Sequence, residues 1–307
     1  MLSRRTFIAG AALATWQPSS AMRAAPAGAD HSSEMTVLAD GVPIHLSRIG
    51  RGRPVCLIHG ASGNLNDMTF RLAPALADRY TVIAVDRPGH GCSGMPPGGG
   101  VSINAQAALL RTALAKIGVE RPLLVGHSYG GSVALAWAVD APESISGLVL
   151  LATPSQVWKG GLGLTNDLIA APVVGPVLVR VAPLLVTRGF VESALATVFA
   201  PQVPPEDYID HLDLALVLQP RTLRENARQL VALKEELRPM VPVYSRLSTP
   251  VEIVHGSADQ TVGLELHSAA LARQIPRSRL IRLPGIGHML HQVATAKVVE
   301  SVDAAVG

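Results

Sequence analysis

The stretch Leu123-Leu124-Val125-Gly126-His127-Ser128-Tyr129-Gly130-Gly131 decides how the rest of the chain is read. An apolar run gives way to Gly-x-Ser-x-Gly, and a helix-like stretch, Ser132 to Val139, follows at once. A strand that turns this abruptly into a helix forces its central residue into a sharp bend, with no room for side chains two positions to either side. Gly126 and Gly130 supply that room, and Gly131 lets the helix approach the strand. A serine so held projects at the carboxyl end of a strand, beside the N–H groups and positive end of a new helix. With 28 glycines in the chain the motif alone proves little, so its surroundings must carry the reading.

Those surroundings alternate. Short runs rich in Val, Ile and Leu begin near Val55, Tyr80, Leu123, Leu148, Val251 and Leu280, and each ends in glycine or polar residues. Unbroken apolar runs of this length suit strands covered on both faces. Between them lie helix-like stretches, Met68 to Asp78, Ile103 to Ile117, Ser132 to Val139 and Leu264 to Gln274. The fold class expected is therefore α/β, a mostly parallel central sheet with helices on both faces. Thr36 to Ile49, turning at Asp40-Gly41, reads as an antiparallel hairpin at its start.

The alternation lapses once, between Leu151 and Val251. A gap that long is not a bare loop in a compact domain. It reads as a helical cap over residues 156–247, inserted between core segments 30–155 and 248–307. Within it, Leu168 to Val186 ("LIAAPVVGPVLVRVAPLLV") resembles a membrane span in composition, but Arg180 and three prolines favour a buried or pocket-facing helix pair.

A serine hydroxyl is a weak nucleophile until a base takes its proton. In a strand-to-helix elbow the expected chain order is Ser, then Asp or Glu, then His. Asp259 follows the run Val251 to Val254, and His288 follows Leu280 to Leu283, so both fall in loops at the same sheet end as Ser128. His288 is the candidate general base, with Asp259 orienting it. His291, three residues on, reads as already belonging to the last helix. The backbone N–H groups of Tyr129 and of Ala61, in "HGASGN", are the candidate oxyanion donors. Asp86 reads as a loop anchor, and His59 and His127 as hydrogen-bonding residues beside the site. No HExxH, GxGxxG or P-loop occurs, so neither metal nor nucleotide cofactor is implied.

The stretches "LIHGASGN", "VDRPGHGCSG", "VGHSYGG", "VHGSADQTV" and "PGIGHMLHQ" together resemble the α/β-hydrolase superfamily, in particular its capped, cofactor-free esterase and haloperoxidase-like branch. The resemblance implies a Ser128–His288–Asp259 triad and cleavage of an apolar carboxylic ester or lactone through an acyl-enzyme. Peroxide in place of water would make the same triad a perhydrolase, and a silent triad would leave a ligand-binding relative. Relatives that cleave epoxides or carbon–halogen bonds use a carboxylate nucleophile where this chain has Ser128.

The ends and the charge add a setting. Arg4-Arg5, an apolar run from Phe7 to Trp16 and small residues at Ala25-Pro26-Ala27 read over residues 1–29 as a twin-arginine export signal. The expected location is the periplasm, reached through the twin-arginine export machinery; an uncleaved signal would instead anchor the chain to the inner membrane. Leaving out Arg4, Arg5 and Arg23 takes the chain from a net +3 to 23 basic and 23 acidic residues, which offers no electrostatic footprint for nucleic acid. Two cysteines, Cys56 and Cys92, show no metal or redox spacing.

Overall fold

The computed structural model describes residues 33–306 apart from residue 162, so the export signal expected over residues 1–29 lies outside the described residues. The chain opens with β1 (Ser33–Ala39), β2 (Val42–Ile49) and β3 (Arg53–Ile58), then α1 (Leu65–Thr69), α2 (Leu72–Leu76) and β4 (Tyr80–Val85). It continues through α3 (Ile103–Lys116), β5 (Leu123–His127), α4 (Tyr129–Asp140) and β6 (Gly147–Leu151). The insertion holds α5 (Leu164–Ala170), α6 (Gly175–Leu185), α7 (Arg188–Phe199), α8 (Tyr208–Leu212), α9 (Leu214–Val217) and α10 (Pro220–Leu237). The core resumes with β7 (Val251–Gly256), α11 (Ala270–Gln274), β8 (Ser278–Leu283), α12 (Leu290–Val293) and α13 (Thr295–Val306).

The eight strands form one sheet in the order β1-β2-β4-β3-β5-β6-β7-β8. Among the described residues only the β1–β2 and β2–β4 pairs are antiparallel. Side chains alternate faces along each strand, and both faces are covered. Cys56, Ile58, Leu124, Leu148 and Leu150 pack under α3 and α4, while Val55, Leu57, Val125, Val149 and Leu151 pack under α1, α2 and α13. This explains the near-continuous apolar runs: every position meets a core. The register places His127 beside Leu151, Leu151 beside Val254, and Gly256 beside Leu283, so β5, β7 and β8 end along one edge.

Three expectations about helices are corrected. Met68 to Asp78 is two short helices, because Pro74 lacks an N–H and its ring crowds the carbonyl of Phe70. His291 sits in the separate short helix α12, since Ala294 (φ −133°) leaves helical geometry before α13 begins. The apolar stretch Leu168 to Val186 is a helix pair, but it is not buried: Val173, Val177 and Leu185 are 80%, 60% and 73% exposed. α5 and α6 bend by 110° at their junction, and no single described helix is long and apolar enough to cross a membrane. α10 supports this pair and ties it to the core, where Asn226 accepts from the Ser62 N–H (2.7 Å) and donates to the Ser62 hydroxyl (3.0 Å).

Leu57, fully buried in a central strand, and Leu38, 58% exposed at the edge, give a direct test of this core. Leu57→Ala should lower the urea unfolding free energy by about 2–5 kcal/mol, and Leu38→Ala by less than about 0.5 kcal/mol.

Candidate active site

Ser128 stands between β5 and α4 with φ 50° and ψ −122°, a left-handed conformation costly for a residue with a Cβ. The close approach around it requires small neighbours. A Cβ on Gly126 would lie 2.5 Å from the Gly130 carbonyl oxygen, and one on Gly130 would overlap the carbonyls of Ile58 and His59. The Ser128 N–H donates to the Leu151 carbonyl (2.8 Å), which pins the elbow to β6.

The turn after β3 runs past the serine, with the Cβ position of Gly60 3.3 Å from Ser128 Cβ. The Gly60 carbonyl accepts from His59 Nδ1 (2.8 Å) and from Arg87 Nη2 (3.0 Å). A trans peptide points its C=O and N–H in opposite directions, so holding the Gly60 oxygen inward turns the Ala61 N–H the other way. Tyr129 opens α4, and its N–H has no partner inside the helix. Its ring lies away from the site, 4.4 Å beneath the Arg87 guanidinium. Arg87 is fully buried and also donates to the His59 carbonyl (3.1 Å), Gln106 (3.0 Å) and Gln229 (2.7 Å). Burial lowers its guanidinium pKa to about 10, still well within the charged range at neutral pH.

Asp259 and His288 meet as neighbours: His288 Nδ1 donates to Asp259 Oδ2 at 2.7 Å. Asp259 Oδ1 accepts from the N–H groups of Thr261 (2.7 Å) and Val262 (2.9 Å). Burial alone would raise this carboxyl, but hydrogen bonds from His255 and His288 hold it below the usual carboxylate range. An ionised Asp259 keeps the His288 proton on Nδ1 and leaves Nε2 as the bare nitrogen. His127, adjacent to the serine, donates from Nε2 to the His288 carbonyl (3.1 Å), and the two rings lie 4.8 Å apart.

A second histidine also shares Asp259. His255 Nε2 lies 3.1 Å from Asp259 Oδ2 and 2.9 Å from the Val262 carbonyl, while its Nδ1 faces the Ser268 hydroxyl at 2.6 Å. Both acceptors opposite Nε2 demand a proton there, so Ser268 donates to Nδ1. Asp86 anchors loops, accepting from the N–H groups of Leu65 (2.7 Å) and Cys92 (2.8 Å).

A family model described as the alpha/beta hydrolase fold matches residues 53–172, from β3 across the elbow into the insertion. A thermophilic esterase from Thermogutta terrifontis superposes with a TM-score of 0.73 at 21% identity, covering 89% of this chain and 97% of its own. The chain has the α/β-hydrolase fold. Among sequence relatives, the magnesium-chelatase 30 kDa subunit of Rhodobacter capsulatus is 29% identical over 258 residues, 79% of this chain and 83% of that protein. The dihydrolipoyllysine-residue acetyltransferase component of the acetoin cleaving system of Cupriavidus necator is 37% identical over 133 residues, which span 43% of this chain and 35% of that protein.

The fold also assembles groups that spacing along the chain does not reveal. Asp67, His127 and His291 offer ligand-type atoms within 4.8 Å of one another, all buried. Asp67 already accepts from His291 Nε2 (3.0 Å), Gln292 Nε2 (3.0 Å) and the Tyr208 hydroxyl (2.7 Å), so the cluster is a hydrogen-bond network built on a carboxylate. Arg87, His255 and Asp67 had no sequence signal beyond their residue type. Their partners are backbone groups and side chains far along the chain, which leave no periodic trace.

Two buried histidines give the protein an acid-sensitive fold. Burial, then the Arg87 charge, lowers His59 to about 3; burial, with His255 nearby, lowers His267 to about 4. His59 Nε2 accepts from the Arg87 N–H, and His267 Nδ1 accepts from Ser155 and Gln156, so both rings must stay neutral in the fold. The unfolded chain protonates them near pH 6.5, and the folded chain does not until about pH 4 to 3. The urea midpoint should therefore hold steady above pH 7 and fall as the pH drops from about 6.5 towards 4. A midpoint that rises or stays level across that window would contradict the assignment.

Proposed function

We propose that this protein is a serine hydrolase that cleaves a carboxylic ester or lactone with an apolar acyl part. The observation that carries the reading is the pairing of a strained Ser128 elbow with the Asp259–His288 contact at 2.7 Å on the same sheet edge. In the proposed cycle Ser128 Oγ attacks the substrate carbonyl while His288 Nε2 takes its proton. The tetrahedral oxyanion is held by the N–H groups of Ala61 and Tyr129, and Arg87 and His59 keep the Ala61 peptide in place. His288 then gives its proton to the leaving alkoxide, and the acyl group remains on Ser128 as an ester. Water, deprotonated by His288, attacks that ester, releases the acid and restores the serine.

Asp259 stays a carboxylate throughout and stabilises the imidazolium formed in each half-reaction. The exposed apolar side chains of the insertion, Leu164, Leu168, Val177, Val181, Leu185 and Phe190 on α5 to α7, support an apolar substrate over a charged one. The reaction class is also that of the Thermogutta terrifontis esterase, which shares the fold. Export through a twin-arginine signal remains part of the reading; lysines in place of Arg4 and Arg5 should retain the protein in the cytoplasm.

Hydrolysis of p-nitrophenyl esters from acetate to palmitate tests the function. Turnover should peak at one chain length, and Ser128→Ala should reduce kcat at least about a thousandfold. Equal turnover by a folded Ser128→Ala protein would rule this mechanism out.

A further inference from the structure

The loop between β8 and α12 carries His288, and it is gripped from two sides. From the core, Ser257 Oγ accepts from the Gly285 N–H (2.9 Å), and the Ala258 N–H donates to the Ile286 carbonyl (2.9 Å). The opposite side is held by the insertion. Gln202, in the chain between α7 and α8, donates from Nε2 to the Gly285 carbonyl (2.8 Å) and accepts at Oε1 from the Gly287 N–H (2.9 Å). One amide thus satisfies two backbone groups in the three residues before His288. The contact is close: a Cβ on Gly287 would overlap the Ala200 carbonyl oxygen, so only glycine lets the two backbones meet.

A second attachment reaches the same histidine through the core. Tyr208, on α8 of the insertion, donates to Asp67 Oδ1 (2.7 Å), which also accepts from His291 Nε2 (3.0 Å). The His291 ring lies 4.2 Å from that of His127, and His127 Nε2 donates to the His288 carbonyl (3.1 Å). Each hydrogen bond in this chain has a defined polarity; the His291–His127 link is a ring contact. Burial would raise the Asp67 carboxyl, but the His291 charge and hydrogen bond hold it below its usual range, so it accepts. Burial and the Asp67 charge push the Tyr208 hydroxyl well above its usual range, so it donates. Burial, with His291 and His288 nearby, keeps His127 neutral. Around this chain, Phe199, Tyr208 and Leu212 of the insertion pack with Met289, the residue after His288.

We infer that the insertion is a positioning element for His288: Gln202 and Tyr208 hold the base, and seating of the cap sets the reactivity of Ser128. Neither residue touches substrate or reacting atoms in this account. The inference rests on the reading of Ser128 and His288 as nucleophile and base. Its physical ground is the backbone freedom of the glycine-rich loop, where Gly285 already sits at φ 69°. Without Gln202 the exposed Gly285 carbonyl and the part-buried Gly287 N–H lose their protein partner and the loop gains room to move. A displacement of the base by about 1 Å is enough to cost on the order of a hundredfold in rate.

The test compares wild type with Gln202→Met, Gln202→Glu and Tyr208→Phe. It measures kcat and KM for p-nitrophenyl acetate and a long-chain ester, the rate of Ser128 labelling by a small fluorophosphonate, and melting temperature. Gln202→Met should slow acetate turnover and labelling together by about ten- to a hundredfold, with acetate KM within about twofold. Gln202→Glu, which keeps the acceptor for the Gly287 N–H, should recover part of both rates. Tyr208→Phe removes one oxygen and should slow both in the same direction, by about threefold or more.

Labelling and acetate kcat at the wild-type level in folded Gln202→Met and Tyr208→Phe would overturn the inference. So would an effect confined to KM for the long ester, because a cap that only encloses substrate behaves in that way. A wild type that resists labelling at Ser128 would remove the nucleophile reading itself, and the positioning role with it. The two failures are therefore distinguishable.

Discussion

The backbone at Ser128 is the constraint on which the rest of the site depends. A residue with a Cβ held at φ 50° persists only where its surroundings over-determine it. Here they do so through contacts that allow no slack: Gly130 lies against the carbonyls that end β3, and the Ser128 N–H is bound to the end of β6. The elbow therefore requires β3, β5 and β6 to be parallel neighbours in register, which is the order the sheet adopts. The same register brings the ends of β7 and β8 to that edge, and with them Asp259 and His288. Sheet order and site geometry are one requirement seen at two scales.

Around the elbow the protein separates charged from neutral groups by local hydrogen bonding. Asp259 and Asp67 are buried carboxylates, each kept ionised by donors that outweigh the cost of burial. His59 and His127 are buried imidazoles kept neutral, each with one ring nitrogen committed to a backbone carbonyl. Arg87 brings a buried cation whose donors are spent on carbonyl and amide oxygens and on the face of Tyr129. Fixed dipoles of this kind do not need to reorganise when charge develops at a reacting carbonyl, and that is where preorganisation lowers a barrier.

Much of this was legible in the sequence, for physical reasons that also mark the limit. Tyr80 to Val85 and Leu123 onward read as strands because burial on both faces leaves an unbroken apolar run. Ser128, Asp259 and His288 stand out because each follows such a run, and a parallel sheet brings those ends together. Gln202, Asp67 and Tyr208 gave no such signal. Gln202 bonds backbone 83 and 85 residues away, and Asp67 meets His291 across 224, so neither contact has a period or a local motif. The α5–α6 stretch is the helix pair its sequence implies, and only its burial was not legible, for a different reason. Apolar composition reports a preference for leaving water, and whether a core, a substrate or nothing covers the side chains depends on tertiary placement.

The most direct measurement is the identity of the covalent intermediate. An ester with a slow-leaving acyl group, quenched in acid during turnover and mapped by peptide mass spectrometry, should place the acyl mass on the peptide containing Ser128. The same quench on Ser128→Ala should show no adduct. An acyl group found on another residue, or an adduct that survives in Ser128→Ala, would contradict the account at its centre.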